Sequence, residues 1–118
     1  QAEDAAEGGY ADFMICHDCP SGVDIPAIRS NAMGWPAHAI RASDHHRDVL
    51  RAVVDEVMPR YLIHGHYHDR YVSRYRNTVV LGLNMNTYPW HENVIVFDLQ
   101  EGVFYDGREV EQITRFRC

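Results

Sequence analysis

The sequence contains no long apolar run and no segment of the kind that directs secretion. A bilayer-spanning helix needs about 20 consecutive apolar residues, and no apolar run in these 118 residues approaches that length. The first part of the chain also lacks a basic stretch followed by an apolar one, which is the pattern of a signal peptide. Neither membrane insertion nor export by a visible signal is therefore expected.

The sequence also lacks a second metal-binding motif at a suitable spacing from its Cys-x-x-Cys, and it lacks a net positive charge. A zinc ribbon needs a second Cys-x-x-Cys or His-x-x-x-His pair at a suitable spacing from the first, and the only cysteine besides Cys16 and Cys19 is the distant Cys118. The formal net charge of -6 repels polyanions, so nonspecific nucleic-acid binding is not expected. The odd number of cysteines and the lack of a visible secretory signal predict a reduced, cytoplasmic protein.

The composition is that of an ordinary folded domain. Apolar residues make up 46% and charged residues 24% of the chain, values close to those of soluble globular proteins. We predict a flexible segment over residues 1–9, followed by one domain over residues 10–118, because the length accommodates a single hydrophobic core. The chain begins with Gln1 rather than Met, so we expect it to be a piece of a longer product.

Two short apolar runs end in histidine. Residues 11–16 predict a buried strand that delivers His17 at its carboxyl end, and residues 61–63 predict a second strand that leads to His64 and His66. Open α/β sheets place ligand-binding groups at the carboxyl ends of their strands. If the two strands are neighbours in a parallel sheet, these histidines converge at one edge.

The rest of the chain predicts a loop, a helix and further strands. Residues 20–42 contain three Pro and two Gly, which predicts a long surface loop. Ser43 is the expected N-cap of an amphipathic helix that Pro59 ends. A hairpin is expected over residues 71–83 and a strand pair over 93–105.

His66 and His68 have a spacing that suits metal binding. On an extended segment both side chains point to the same side, where they can bind one metal ion or a close pair. Gly65 has no side chain, so the backbone there can approach a metal or substrate closely. The alternative is that these histidines only cap loops through hydrogen bonds, but the His-Asp at the end of an earlier strand favours a metal site.

These residues resemble two motifs of a known family, the calcineurin-like metallophosphoesterases. Residues 65–68 (Gly-His-Tyr-His) are similar to the family's Gly-His-x-His motif, and residues 17–20 (His-Asp-Cys-Pro) to the His-Asp-x-Pro segment that precedes it. The resemblance covers roughly residues 11–100. It implies an α/β fold, namely the C-terminal half of a four-layer αββα metallophosphoesterase sandwich.

The resemblance also implies an activity and a set of site residues. The activity is metal-dependent hydrolysis of a phosphorylated substrate by a centre of two divalent metal ions, with Mn, Fe, Zn and Ni as the candidates. His17 and His66 would bind one ion and His68 the other. Four further residues are expected beside the metal ions or the substrate: Asp18, His64, Gly65 and His91.

The family's other motifs are missing from this chain. No Asp-x-His, Gly-Asp or Gly-Asn-His motif precedes His17, and in the family these supply the bridging carboxylate and the general acid, so no catalytic residue is assigned. Imidazoles cannot replace the charge of the missing carboxylates. We therefore expect an N-terminal half-domain or a companion chain to complete the site and to cover an apolar edge and face of the sheet.

Several alternatives stay open on the sequence alone. The chain can be a non-catalytic, phosphoesterase-like subunit for interaction or assembly, which the missing motifs favour, or a structural zinc module built on Cys16 and Cys19. At the level of single residues, Asp18 can be a carboxylate that caps a loop, and His64 can be a buried structural histidine.

Overall fold

The computed structural model of the chain describes residues 10–109. The segment predicted to be flexible, residues 1–9, and Cys118 lie outside the described residues. Those that are described form a small mixed α/β domain. Its elements are β1 (Phe13–Cys16), α1 (Pro26–Ser30), α2 (Ala37–Val57), β2 (Tyr61–His64), β3 (Tyr71–Tyr75), β4 (Thr78–Gly82), a 3₁₀ helix (Trp90–Glu92), β5 (Ile95–Asp98) and β6 (Val103–Asp106).

Strands β1 to β4 form one sheet in the order β1-β2-β4-β3. β1 pairs in parallel with β2, with Cys16 opposite His64, so the condition under which His17 and the later histidines converge is met. β2 in turn pairs in parallel with β4. β3 and β4 form the predicted antiparallel hairpin. The chain therefore leaves β1 and β2 at the same edge of the sheet.

Both helices begin within the segment that the sequence predicts as a loop. α1 begins at Pro26, and α2 begins at Ala37 with Pro36 as its N-cap, so the prediction of a long loop is wrong in part and Ser43 lies inside the helix. Proline is compatible with the first turn of a helix because the N–H groups there have no helical partner. Pro26 and Pro36 therefore mark helix starts.

The carboxyl end of α2 follows the prediction. The helix ends at Val57, and Met58 takes a left-handed conformation with φ of 50° whose N–H donates to the carbonyl oxygen of Val54. Pro59 then prevents continuation. Among the helices of the described residues, none combines the length and the apolar character needed to cross a membrane.

The core lies between α2 and one face of the four-stranded sheet. Val54 of α2 and Leu62 and Val80 of the two central strands have at most 2% of their surface exposed. Cys19 and Ile25, from the segment between β1 and α1, join the same cluster. Burying this apolar surface contributes on the order of 25 cal/mol per Å².

Arg47 attaches the segment after β1 to α2. Its guanidinium is buried and donates to the carbonyl oxygens of Cys19 and Pro20 at 3.1 and 3.2 Å. The N–H of Ser21 donates to the carbonyl oxygen of Arg47 at 3.0 Å. A buried guanidinium is costly unless its N–H groups are paired, so these bonds hold the chain that follows His17 in one position.

Within residues 10–109, the opposite face of the sheet is covered only at one end. The β5–β6 hairpin, which confirms the predicted strand pair, packs there with the ring centroid of Phe97 4.6 Å from that of Phe13 and 5.0 Å from that of Tyr61. Ile15 remains 79% exposed and Val72 60% exposed. β1 is also an edge strand, so among the described residues an apolar edge and part of one face are exposed. That an N-terminal half-domain or a companion chain covers them stays a prediction.

Gly82 leaves room for the ring of Tyr71 on the neighbouring strand. A methyl group added at Gly82 would collide with that ring, which is buried in the core. Gly82→Ala is therefore expected to lower the free energy of unfolding by about 1–3 kcal/mol, as overpacking does elsewhere. Urea unfolding measures this change.

Gly65→Ala is the matched control for that substitution. A methyl group at Gly65 meets no atom within 4 Å, so its unfolding midpoint should stay close to that of the wild type. Equal midpoints for Gly82→Ala and Gly65→Ala would contradict the packing described for Tyr71.

Candidate metal centre

His17 and His66 come together at the edge where β1 and β2 end. His17 directly follows β1, and His66 follows β2 after Gly65. Nδ1 of His66 lies 3.0 Å from Nε2 of His17, and the two ring centroids are 4.8 Å apart. Both side chains are exposed. Parallel pairing of the strands thus brings two imidazoles from distant parts of the sequence into contact, with access from solvent.

The spacing of the two nitrogens fits two ligands of one metal ion. Two bonds of about 2.1 Å place their nitrogens about 3 Å apart at a right angle and about 3.4 Å apart at a tetrahedral angle. A hydrogen bond between two neutral imidazoles gives a similar separation. The pair therefore supplies two nitrogen donors that need little movement to share an ion.

The pair is not completed within the described residues. Over residues 10–109, no three side chains of His, Cys, Asp or Glu form a group that could hold a metal ion. The residues present thus fit part of one coordination sphere and leave the two-metal centre incomplete. The assignment of His68 to a second ion stays a prediction.

The segment 65–68, which we call the histidine loop, is not extended. β2 ends at His64, and the backbone φ angles of His66 and His68 are 70° and 54°. The extended conformation expected for His66 and His68 is therefore wrong, and with it the argument that alternation puts them on one side. Two left-handed residues turn the chain, and the N–H of Tyr67 donates to the carbonyl oxygen of Gly65 at 2.9 Å.

Left-handed backbone at two histidines is energetically unfavourable. For residues with a Cβ it costs about 1–2 kcal/mol each. Such conformations persist where the surrounding structure determines them, and they cluster at functional sites. Contacts with neighbouring residues must therefore hold the backbone of the histidine loop in this conformation.

Asp18 and Tyr67 provide that restraint. The hydroxyl of Tyr67 donates to Oδ1 of Asp18 at 2.6 Å, and the same oxygen accepts the N–H of Cys19 at 2.7 Å. Both side chains are 8% exposed. Burial, and then the hydrogen bond to Asp18, raise the pKa of Tyr67 above its ordinary value, so the phenol stays a donor at neutral pH. This buried bond joins the residue after His17 to the residue after His66.

His64 lies inside the fold. It is 1% exposed, with Nδ1 2.8 Å from the carbonyl oxygen of Gly65 and Nε2 2.5 Å from the hydroxyl of Tyr71. A carbonyl only accepts, so we assign the proton to Nδ1, and Nε2 accepts from Tyr71. Burial lowers the pKa of His64 and keeps the ring neutral. The structure thus places His64 as a buried structural histidine that ties β2 to β3.

Cys16 and Cys19 are both free thiols. Burial is the main cause that raises the pKa of each thiol to about 11, so both are protonated at neutral pH. A zinc ion at this pair would have to remove both protons and draw the fully buried Cys19 out of the core. In the structure the two thiols pack as small apolar side chains.

His91 and Gly65 both border space that solvent can enter. His91 is half-buried in the 3₁₀ helix and lines a polar pocket of about 340 Å³ whose wall includes Asp69, the residue after His68. A side chain at Gly65 would meet only open space. Both positions are compatible with a role beside a metal ion or a substrate, and those roles stay predictions.

Three residues that shape the site were missed from the sequence. Tyr67 occupies the variable position of the Gly-His-x-His motif, Arg47 lies on a helix predicted only for its apolar face, and Trp35 lies in the segment predicted as a loop. Trp35 and Tyr67 form two walls of a pocket of about 180 Å³ that includes His66. The signal that could have found Trp35 is Pro36, which precedes the start of α2 at Ala37.

No protein-family model matches the chain, and a comparison with curated proteins also finds no match. The resemblance to the metallophosphoesterases therefore rests on the two motifs and on how their histidines are arranged.

Tyr67→Phe tests whether the buried bond to Asp18 holds the two histidine segments together. Removing the hydroxyl leaves a buried carboxylate with one donor fewer, which should lower the free energy of unfolding by about 1–3 kcal/mol. Tyr75→Phe is the matched control, because that hydroxyl also donates to a carboxylate, Asp55 at 2.8 Å, in a half-buried position. A loss no larger than that of the control, in urea unfolding, would argue against the restraint.

His64 should make stability depend on pH. Because burial lowers its pKa in the folded chain below the ordinary value of 6.5, the unfolded chain takes up a proton first as the pH falls. The free energy of unfolding should therefore be insensitive to this group well above pH 6.5 and decrease below it, until the lower folded pKa is reached. His64→Gln should lose less stability than the wild type over this range, and parallel curves would refute the assignment.

Proposed function

We propose that the chain is the histidine-bearing, C-terminal half of a dinuclear metallophosphoesterase, a metal-dependent phosphoester hydrolase. The observation that carries the proposal is the 3.0 Å approach of His17 and His66. These residues belong to two separate motifs, and they meet at the carboxyl ends of neighbouring parallel strands, where α/β sheets bind their ligands. Two exposed imidazoles in contact at such an edge are a natural place for a divalent metal ion.

The proposal assigns this chain only part of the ligand set. His17 and His66 would hold one divalent ion, and His68 is assigned to the second ion by resemblance to the family. Among residues 10–109 no carboxylate joins the pair, and two dications held close together need carboxylates for charge compensation. The proposal therefore includes an N-terminal half-domain or a companion chain that supplies them. Nitrogen and oxygen ligands of this kind accept Mn, Fe, Zn or Ni.

The role of this chain in the reaction is to position groups. Metal ions bound at this site would supply Lewis-acid activation of the phosphoryl group and a hydroxide nucleophile. The buried bond between Asp18 and Tyr67 keeps the two histidine segments in register. His64, neutral and inside the fold, fixes the end of β2 from which the histidine loop begins.

The same proposal includes the architecture of the assembled protein and its cellular compartment. The two sheets would belong to the C-terminal half of a four-layer αββα sandwich, with the N-terminal half covering the face that exposes Ile15 and Val72. The exposed apolar side chains and the open edge of β1 support such a cover. A reduced, cytoplasmic setting agrees with Cys16 and Cys19 being free thiols.

A second candidate is a non-catalytic subunit of the same fold that serves in interaction or assembly. The open apolar face at Ile15 and Val72 favours it, since such a face needs a partner whether or not a reaction takes place. Metal content separates the two candidates. The hydrolase requires two ions per assembled molecule, and the interaction subunit requires none.

His66→Ala is the direct test of the hydrolase. In the complete protein, or with the companion chain present, loss of this ligand should reduce metal-dependent turnover of bis-p-nitrophenyl phosphate by more than about 100-fold, since even residues that only support a ligand cost 10–100-fold. His45→Ala is the matched control, because His45 is an exposed histidine on α2. Turnover, metal content and the unfolding midpoint should be measured on both variants.

The outcomes separate the candidates. Unchanged turnover in His66→Ala, in a protein that remains folded, would reject the hydrolase. Absence of both metal and turnover in the complete protein would favour the interaction subunit. Zinc that survives His66→Ala and is lost in Cys19→Ala would instead favour a structural zinc module.

A further inference from the structure

A pocket of about 180 Å³ opens beside the histidine pair. Two of its walls are aromatic, Trp35 and Tyr67, and His66 forms a third. Ser43 contributes a hydroxyl, and among the described residues no Arg, Asp or Glu side chain lines the pocket. The other lining residues are aliphatic: Ile28, Ala39 and Ile40.

The aromatic walls are held in place by the protein itself. The side chain of Asn31 accepts the N–H of Trp35 at 2.9 Å and donates to the carbonyl oxygen of Trp35 at 3.1 Å, so the backbone there is fixed from both sides. The ring of Tyr67 meets that of Trp35 edge-to-face, with 6.4 Å between centroids. Tyr67 is anchored in turn by its bond to Asp18. Such fixed walls reduce the ordering cost of binding.

We propose that this pocket binds a planar aromatic group of the phosphoester substrate while the phosphate lies at the histidine pair. The inference rests on the proposed function and adds the class of substrate, an aryl phosphoester. His66 belongs both to the histidine pair and to the pocket wall, so a phosphate held at the pair places its ester substituent at the pocket. The phosphate position and the pocket adjoin directly, because His66 borders both.

The size and chemistry of the pocket select one aromatic ring. An apolar cavity of about 150 Å³ accepts benzene, and this pocket is slightly larger. Edge-to-face contacts with two aromatic walls favour a planar ring over an alkyl group of equal size. With no Arg in the lining, a second phosphate or a carboxylate on the substrate would find no cationic partner there.

Phosphonates test the pocket without requiring a reaction. Phenylphosphonate, cyclohexylphosphonate and methylphosphonate share a head group and contain no ester bond, so their affinities compare the substituent alone. In the metal-loaded complete protein, calorimetry should show phenylphosphonate binding about 10-fold more tightly than either of the others, which corresponds to about 1.4 kcal/mol of added contact. Equal affinities would overturn the inference, and a cyclohexyl compound that matches the phenyl compound would overturn its aromatic part.

Variants of Trp35 test whether this residue causes the tighter binding of the phenyl compound. Trp35→Ala should abolish the preference for the phenyl compound and leave methylphosphonate binding unchanged, whereas Trp35→Phe should keep most of the preference. Trp90→Ala is the matched control, because Trp90 is a half-exposed tryptophan that does not line the pocket. An equal loss of both ligands in Trp35→Ala would mean that Trp35 only supports the fold, and the inference would fail.

The inference and the proposed function fail in different ways. Hydrolysis without any preference for the phenyl compound would keep the function and reject the pocket. Phenol, which has no phosphorus group, provides a probe that does not depend on metal: it should shift the indole N–H resonance of Trp35, whereas methanol should not. A shift by phenol in a protein without turnover would keep the pocket and reject the hydrolase, and no shift would reject the pocket.

Discussion

The hydrogen bond from the hydroxyl of Tyr67 to Asp18 is the interaction on which the rest of the site depends. It closes a separation of 49 residues with a bond of 2.6 Å between two buried groups. Parallel pairing of β1 and β2 brings their ends to one edge, but pairing stops at Cys16 and His64 and does not determine the loops beyond. The bond does so, and a buried carboxylate that lost its donor would be costly. Contact between His17 and His66 is thus set from inside the core.

The helix α2 carries two supports of the site at once. Arg47 holds the carbonyl oxygens that follow Asp18, and its Cζ lies 6.0 Å from the ring centroid of Tyr67. The first two turns of the same helix contribute Ile40 and Ser43 to the pocket beside His66. A displacement of α2 would therefore alter both the histidine segments and the pocket. This shared dependence explains why a small domain can keep exposed histidines in a defined arrangement.

The sequence predicts the strands more reliably than the site. Apolar runs bounded by breakers predicted β1, β2 and the hairpin of β3 and β4, because a strand of this kind is determined by local pattern and burial. α1 and the start of α2 were missed because proline occurs both in loops and at the first turn of helices, so Pro26 and Pro36 did not distinguish the two. The turn at His66 was missed because left-handed backbone at a residue with a Cβ is imposed by tertiary contacts, which periodicity does not contain.

The left-handed backbone of His66 and His68 has a consequence for how this region would respond to selection. Glycine adopts such angles without steric cost, so a chain shaped by thermodynamic stability alone would favour glycine at both positions. A library screened only for heat resistance should accordingly drift away from histidine in this loop, while a library screened for a histidine-dependent activity should not. The loop is thus the part of the molecule where the demands of folding and of chemistry oppose each other most directly.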